Sequence, residues 1–204
     1  MWNGLFFQRT TLRDLGLRIQ LGHAYGRSCP SRLPANTTFR VIHSNGIHHV
    51  AIDQCRCSGL TLRQQLLLIA WWPATPIDPR TAATFEVLRH FHILNLQGKV
   101  TGYSFYQSLE YQTDNTCLQP PPVRHHVIYN IQLIDDRPQD RLDTFMLMAR
   151  EWRHIKMLKR GGRAFDPGGV AATAPGSLAI PCRACPLPNI NLPVGWENVP
   201  PARA

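Results

Sequence analysis

Strand-like runs at residues 39–43 (FRVIH) and 47–53 (IHHVAID) are joined by Ser44-Asn45-Gly46. Asn-Gly between β-branched runs predicts a hairpin, because both residues tolerate positive φ. The second run leads directly into Cys55-Arg56-Cys57. Helical spacing dominates beyond it. Residues 61–70 (TLRQQLLLIA) open on a potential N-cap threonine and hold good helix formers. The segment 71–79 (WWPATPIDP) stops that helix. Asp78-Pro79 is read as the start of a second helix, with residues 81–95 placing Phe85, Leu88, Phe91 and Leu94 at helical intervals. Gly98 breaks it, and residues 100–111 predict a third, with Tyr103, Phe105, Tyr106 and Leu109 as core positions. A long amphipathic helix follows from about 140 to 160. Its apolar stripe runs through Leu142, Phe145, Met146, Ala149, Trp152, Ile155 and Leu158, and Gly161-Gly162 closes it.

Elsewhere the periodicity lapses. Residues 10–20 suggest at most a short helical turn before Gly16, and 22–38 read as loop. All but Pro138 of the 17 prolines cluster at 30–34, 73–79, 120–122 and 167–201, which favours a segmented molecule. Four segments are expected: a cysteine-cluster domain at 1–115, a loop or insert at 116–140, a basic amphipathic helix at 141–163, and an extended tail at 164–204. The expected class is α+β and mostly helical. A small zinc-binding β-hairpin is expected to precede the helices.

Charge narrows the choice of partner. Lys plus Arg number 22 against 13 Asp plus Glu, a formal net charge of +9. That balance suits a polyanion, nucleic acid first. The most apolar run, 66–72, is far too short to span a bilayer, and the first 20 residues lack a secretory pattern. An intracellular chain keeps its thiols reduced, so its cysteines are read as metal ligands before disulfides.

Six cysteines stand at 29, 55, 57, 117, 182 and 185. A hairpin with flanking loops can supply the four soft or borderline ligands that zinc wants. Cys29, His48, Cys55 and Cys57 are the first choice. An unbroken strand through Cys57 would put His49, not His48, on the cysteines' face. His49 and His23 therefore remain open as the fourth ligand. Cys182-Arg183-Ala184-Cys185 has the spacing of half a zinc knuckle. Cys117 stands alone and carries no assigned role.

The helix near the end of the periodic region carries Arg150, Arg153, Lys156, Lys159 and Arg160, a face able to contact phosphates. A solvated helix face explains it equally well. No G-x-S-x-G, P-loop or H-E-x-x-H motif occurs, and acidic residues are too scattered for a two-metal nuclease. The chain reads as non-catalytic.

Several motifs occur together in one family. Leu15-Gly16-Leu17-Arg18-Ile19-Gln20-Leu21-Gly22-His23, Cys29-Pro30, Asn45-Gly46-Ile47-His48, Cys55-x-Cys57 and Trp72-Pro73-Ala74-Thr75 come first. Thr81-Ala82-Ala83-Thr84-Phe85, Tyr103-Ser104-Phe105-Tyr106, Arg150-Glu151-Trp152-Arg153-His154, Asp166-Pro167-Gly168-Gly169 and Gly195-Trp196-Glu197 follow in order. In this the chain resembles the CxC-type cysteine-cluster domain associated with KDZ (Kyakuja-Dileera-Zisupton) transposases.

The resemblance implies a zinc-chelating module ahead of an RNase H-like transposase core. It gives Cys29, His48, Cys55 and Cys57 the ligand role, and Cys182 with Cys185 a second one. It also implies DNA as partner, a catalytic domain normally in the same chain, and a nuclear location. On this pattern the chain is expected to be a fragment lacking the upstream zinc module and the catalytic core. Residues 123–139 depart from the family pattern, as retained intron sequence would. Three readings stay open: a module assisting DNA engagement, a zinc-bound protein-interaction module, and a remnant of a degenerate transposon.

Overall fold

In strand β3 (Arg40–His43) consecutive side chains enter different cores: Val41 faces one and Ile42 the other. A computed structural model describes residues 2–6, 8, 10–24, 26–114, 141–163, 165–179, 184–188, 190–192 and 194–198. Two compact units emerge, Met1–His154 and Ile155–Ala204.

Two sheets organise the first unit. One holds four strands in the order β4-β3-β7-β6, with β4 Gly46–His49, β6 Trp71–Pro73 and β7 Thr81–Thr84. The other holds β1 (Arg18–Gln20), β5 (Ala51–Cys55) and β2 (Arg32–Pro34), in the order β1-β5-β2. β3 runs antiparallel to β4 and parallel to β7, and β5 runs parallel to β1 and antiparallel to β2. Successive strand residues point to opposite faces. Thus Val41, Ala82 and Trp71 join Leu21, Phe39, Val50, Ile52 and Leu66 in a core toward the three-stranded sheet. Ile42, Ala83 and Trp72 join a second core made by the helices.

Helix α1 (Leu62–Leu68) begins at Thr61, whose hydroxyl accepts from the N–H of Gln64 while the Gln64 side chain accepts from the N–H of Thr61. This reciprocal capping box satisfies two donors left over at a helix start. Helices α2 (Phe85–Gln97), α3 (Gly102–Thr113) and α4 (Leu142–Arg160) supply the larger core. There Phe91, Phe105, Tyr106 and Phe145 pack ring against ring, with Met148, Ala149 and Trp152 beside them. Burying such rings contributes about 1.5–3 kcal/mol each from area alone. Helix α3 is tied to the hairpin by Thr113, whose hydroxyl accepts from the Ile47 N–H at 2.7 Å and donates to the Leu109 carbonyl.

Four expectations about the elements are corrected. The run 47–53 is not one strand: it breaks at Val50, whose buried side chain and N–H bond to Phe39 end β4 before β5 begins in the other sheet. Residues 81–84 are a strand, not a helix start, because every one of them is buried between β3 and β6. The N-cap of α2 is therefore Thr84. Residues 71–73 and 32–34, read as turn and loop, are also strands.

In the second unit, α4 ends at a closing motif around Gly162, which takes φ +73°. The N–H of Arg163 bonds Leu158 and that of Gly162 bonds Lys159, the paired contacts of a Schellman cap. Arg163 then pairs with Asp166 at 2.6 Å. Beyond it the described residues form two short 3₁₀ turns, Val170–Ala172 and Trp196–Asn198. The expected insert at 123–139 lies outside the described residues.

Candidate metal centre

Cys55 ends β5, the middle strand of the smaller sheet, and its sulfur is fully buried. Parallel pairing of β1 against β5 continues past Gln20 through the Leu21 N–H bond to Asp53. The chain then turns at Gly22, with φ +77°, and this turn delivers His23 to the end of β5. His23 Nε2 lies 3.1 Å from Cys55 Sγ. Glycine is required here twice over. A side chain would be strained at that φ, and a Cβ would lie 2.6 Å from the Cβ of Cys55.

The loop carrying Cys29 is held by Gln20. Its amide nitrogen donates to the Arg27 carbonyl at 2.9 Å, and its amide oxygen accepts from the Cys29 N–H at 2.8 Å. Arg56 N–H bonds the Ser31 carbonyl, closing the same loop onto the turn after β5. Cys29 is buried and its sulfur lies 3.6 Å from that of exposed Cys57. The four ligand atoms of His23, Cys29, Cys55 and Cys57 all lie within 4.8 Å of one another. They offer a metal ion one imidazole nitrogen and three sulfurs from three separate stretches of chain.

The electrostatics of the sulfurs are unequal. Burial pushes the Cys55 thiol up. Against it the N–H of Cys57, the thiols of Cys29 and Cys57 and the N–H of Ser58 bring it down to about 6. Burial also pushes Cys29 up, and the neighbouring sulfurs of Cys57 and Cys55 push it further in the same direction. Toward a metal ion Cys55 would thus be the readier electron-pair donor, while Cys29 would first have to give up a proton. Beneath them Asp53, almost wholly buried, pairs with Arg18 at 2.6 Å and keeps β1 against β5.

Of the expected ligands, Cys29, Cys55 and Cys57 come together, and His48 does not join them. His48 lies on β4 in the other sheet, where its Nε2 is 2.8 Å from the Asn45 side-chain oxygen. Burial, and then neighbouring His43, hold its imidazole below the ordinary value. His49 donates to the Thr37 carbonyl at 3.0 Å. The break at Val50 is the reason: it separates the hairpin histidines from the strand that ends in Cys55. His23, the remaining alternative, takes the fourth place. Cys182 and Cys117 lie outside the described residues. Cys185 is exposed and its carbonyl accepts from Asn191, and it is not among the clustered four.

The basic residues of α4 divide. Arg150, Lys156, Lys159 and Arg160 are exposed. Arg153 is half-buried, donates to the Asn95 side chain at 3.0 Å and lies 5.1 Å over the Phe91 ring. It packs on the core instead of facing solvent. Lys159 and Arg160 occupy the last turn, where positive charge also steadies the helix end.

Residues 12–117 match the CxC2-like cysteine cluster associated with KDZ transposases, just over half of the chain. The chain belongs to the CxC2 family. The resemblance seen in the sequence is thereby borne out, and all four clustered residues fall within the match. CxC2 is an accessory cysteine cluster, not a catalytic domain, and its association is with transposases. No curated protein and no solved structure matches the chain. Among the described residues, no helix is long and apolar enough to cross a membrane. Gln65 escaped sequence reasoning, since nothing in its local pattern sets it apart; Gln20 and Gly22 stood in the family motif, but what they hold in place was not legible there.

Proposed function

We propose that this CxC2 chain is a zinc-stabilised, non-catalytic module that helps a KDZ-type transposase engage DNA in the nucleus. One observation carries the reading: His23, Cys29, Cys55 and Cys57 present their ligand atoms in a single cluster. Zinc bound at about 2.3 Å from sulfur has tetrahedral edges of about 3.8 Å. The 3.6 Å separation of the Cys29 and Cys57 sulfurs fits that edge. One His and three Cys make a closed structural set, leaving no open position for a water or substrate. Such a site contributes roughly 10–16 kcal/mol of apparent binding energy at neutral pH, enough to decide folding. The net charge of +9 favours a polyanionic partner, and the transposase association makes DNA the natural one.

The test uses the full chain, purified under reducing conditions. Elemental analysis should find about one zinc per chain, with chelation unfolding the protein, and duplex binding should weaken steeply with salt. A folded, zinc-free chain would sink the metal reading. Zinc without any duplex binding at low salt would instead favour a protein-interaction module.

A further inference from the structure

Arg141 stands immediately before α4 and turns its side chain back onto β7, where a guanidinium nitrogen donates to the Thr81 hydroxyl. It lines an open cavity of about 370 Å³ together with Thr75, Asp78, Arg80, Thr81 and Thr144. All of these belong to the first unit. The Nε–H of Arg141 is buried and has no hydrogen-bond partner among the described residues. A buried guanidinium donor left unsatisfied is costly, so the position calls for an acceptor.

No described carboxylate answers it. Burial first, then the charges of Arg40 and Arg80, hold the Arg141 guanidinium below its ordinary value, so like charges crowd the site. Asp78 is the single acidic group among the lining residues. It reaches Arg80 at only 3.7 Å, with both side chains more than half exposed. An exposed pair of that length holds little energy and yields readily to a better acceptor. Two guanidiniums with threonine hydroxyls around them match a tetrahedral oxyanion, since the arginine fork can meet two oxygens at once.

We infer that this cavity is a phosphate-binding site, built by Arg141 and Arg80 with Thr144 as a further donor. The same chemistry fits a phosphate of a polynucleotide backbone or a free phosphate. The choice of a backbone source rests on the DNA reading above, whereas the site itself does not.

The experiment takes the zinc-loaded full chain and its variants Arg141→Gln, Arg80→Gln, Arg141→Lys and Asp78→Asn, with Lys159→Gln/Arg160→Gln as comparison. Circular dichroism and zinc content confirm folding. Arg80→Gln, on an exposed side chain, keeps the test sound should Arg141→Gln perturb the core. Binding of a mixed-sequence duplex is followed by fluorescence anisotropy across a salt series, and inorganic phosphate is titrated by thermal shift.

A backbone phosphate predicts about tenfold weaker duplex binding for Arg141→Gln and Arg80→Gln, and a salt slope lower by about one. Arg141→Lys should recover part of the loss, and Asp78→Asn should tighten binding. Should inorganic phosphate raise the midpoint of the wild type and not of the arginine variants, while no duplex binds, the site stands with free phosphate as its ligand and the DNA reading alone fails. Should both arginine variants match wild type toward duplex and phosphate alike, the site is overturned, even if the wild type binds DNA.

Discussion

The Gln65 side chain grips the backbone of Cys55 from both sides: its oxygen accepts from the Cys55 N–H at 2.9 Å, and its nitrogen donates to the Cys55 carbonyl at 2.7 Å. The same nitrogen also donates to the Leu60 carbonyl at 2.8 Å, and the residue is fully buried. A helix residue thus satisfies the last backbone groups of β5 and fixes where the Cys55 sulfur sits.

Replacing Gln65 with Leu keeps the volume and removes both partners. It leaves a buried N–H and carbonyl unsatisfied, at about 1–3 kcal/mol for each group. Urea unfolding of the metal-loaded chain should show a loss of about 2–6 kcal/mol on that basis. A loss below about 0.5 kcal/mol, the range of an ordinary surface change, would mean that the grip does not matter.

Gly22 tests the same corner from the other side. An alanine there would be strained at φ +77° and would drive its Cβ into Cys55 and toward the Gln65 oxygen. Gly22→Ala should destabilise the chain by at least about 1–2 kcal/mol from the backbone alone. It should also release its metal to a competing chelator at lower chelator concentration than wild type. Unchanged retention would contradict the placement of His23.

The histidine assignment separates cleanly by substitution. His23→Ala should weaken zinc binding by more than about 100-fold, since even residues that only orient ligands cost 10–100-fold. His48→Ala and His49→Ala should leave the affinity within about threefold, because their rings bond Asn45 and Thr37 instead. Competition with a coloured chelator reads all three. Loss in His48→Ala with retention in His23→Ala would reverse the assignment.

Metal affinity should fall as the pH falls. The Cys29 thiol lies above its ordinary value and is protonated near neutrality, so binding displaces its proton. Each thiol proton displaced lowers the affinity about tenfold for each pH unit between 8 and 7. The Cys55 thiol, brought down to about 6, holds no proton in that window and adds its own competition only as the pH drops through that value. The metal's contribution to stability is therefore largest on the alkaline side and steepens in its loss toward acid. Chelator titrations at several pH values in non-coordinating buffers measure the slope. A flat profile from pH 8 to 6 would rule out the thiolates as ligands.

Much of the fold was legible because its signals are local. The hairpin turn, the Thr61 cap of α1 and the glycine closing of α4 each depend on residues a few positions apart. Thr81-Ala82-Ala83-Thr84 was not legible. Alanine favours helix, yet these residues form a strand because small side chains fit a position covered on both faces. The apparent strand 47–53 misled for a related reason. Its alternation is consistent, and only the burial of Val50 between two sheets divides it.

From the sequence alone came the family, Cys29, Cys55 and Cys57 as candidate soft donors, and a histidine as the candidate fourth, since residue type and short spacing carry that chemistry. The tertiary structure decided which histidine. Position 23 is 32 residues from Cys55 and position 48 only seven, yet the nearer one in sequence lies in the other sheet. Parallel pairing of β1 with β5, held by Arg18 and Asp53, and the left-handed turn at Gly22 bring the distant one to 3.1 Å. A metal ion selects ligands by distance and direction in space, and those are set by sheet pairing between segments far apart in the chain.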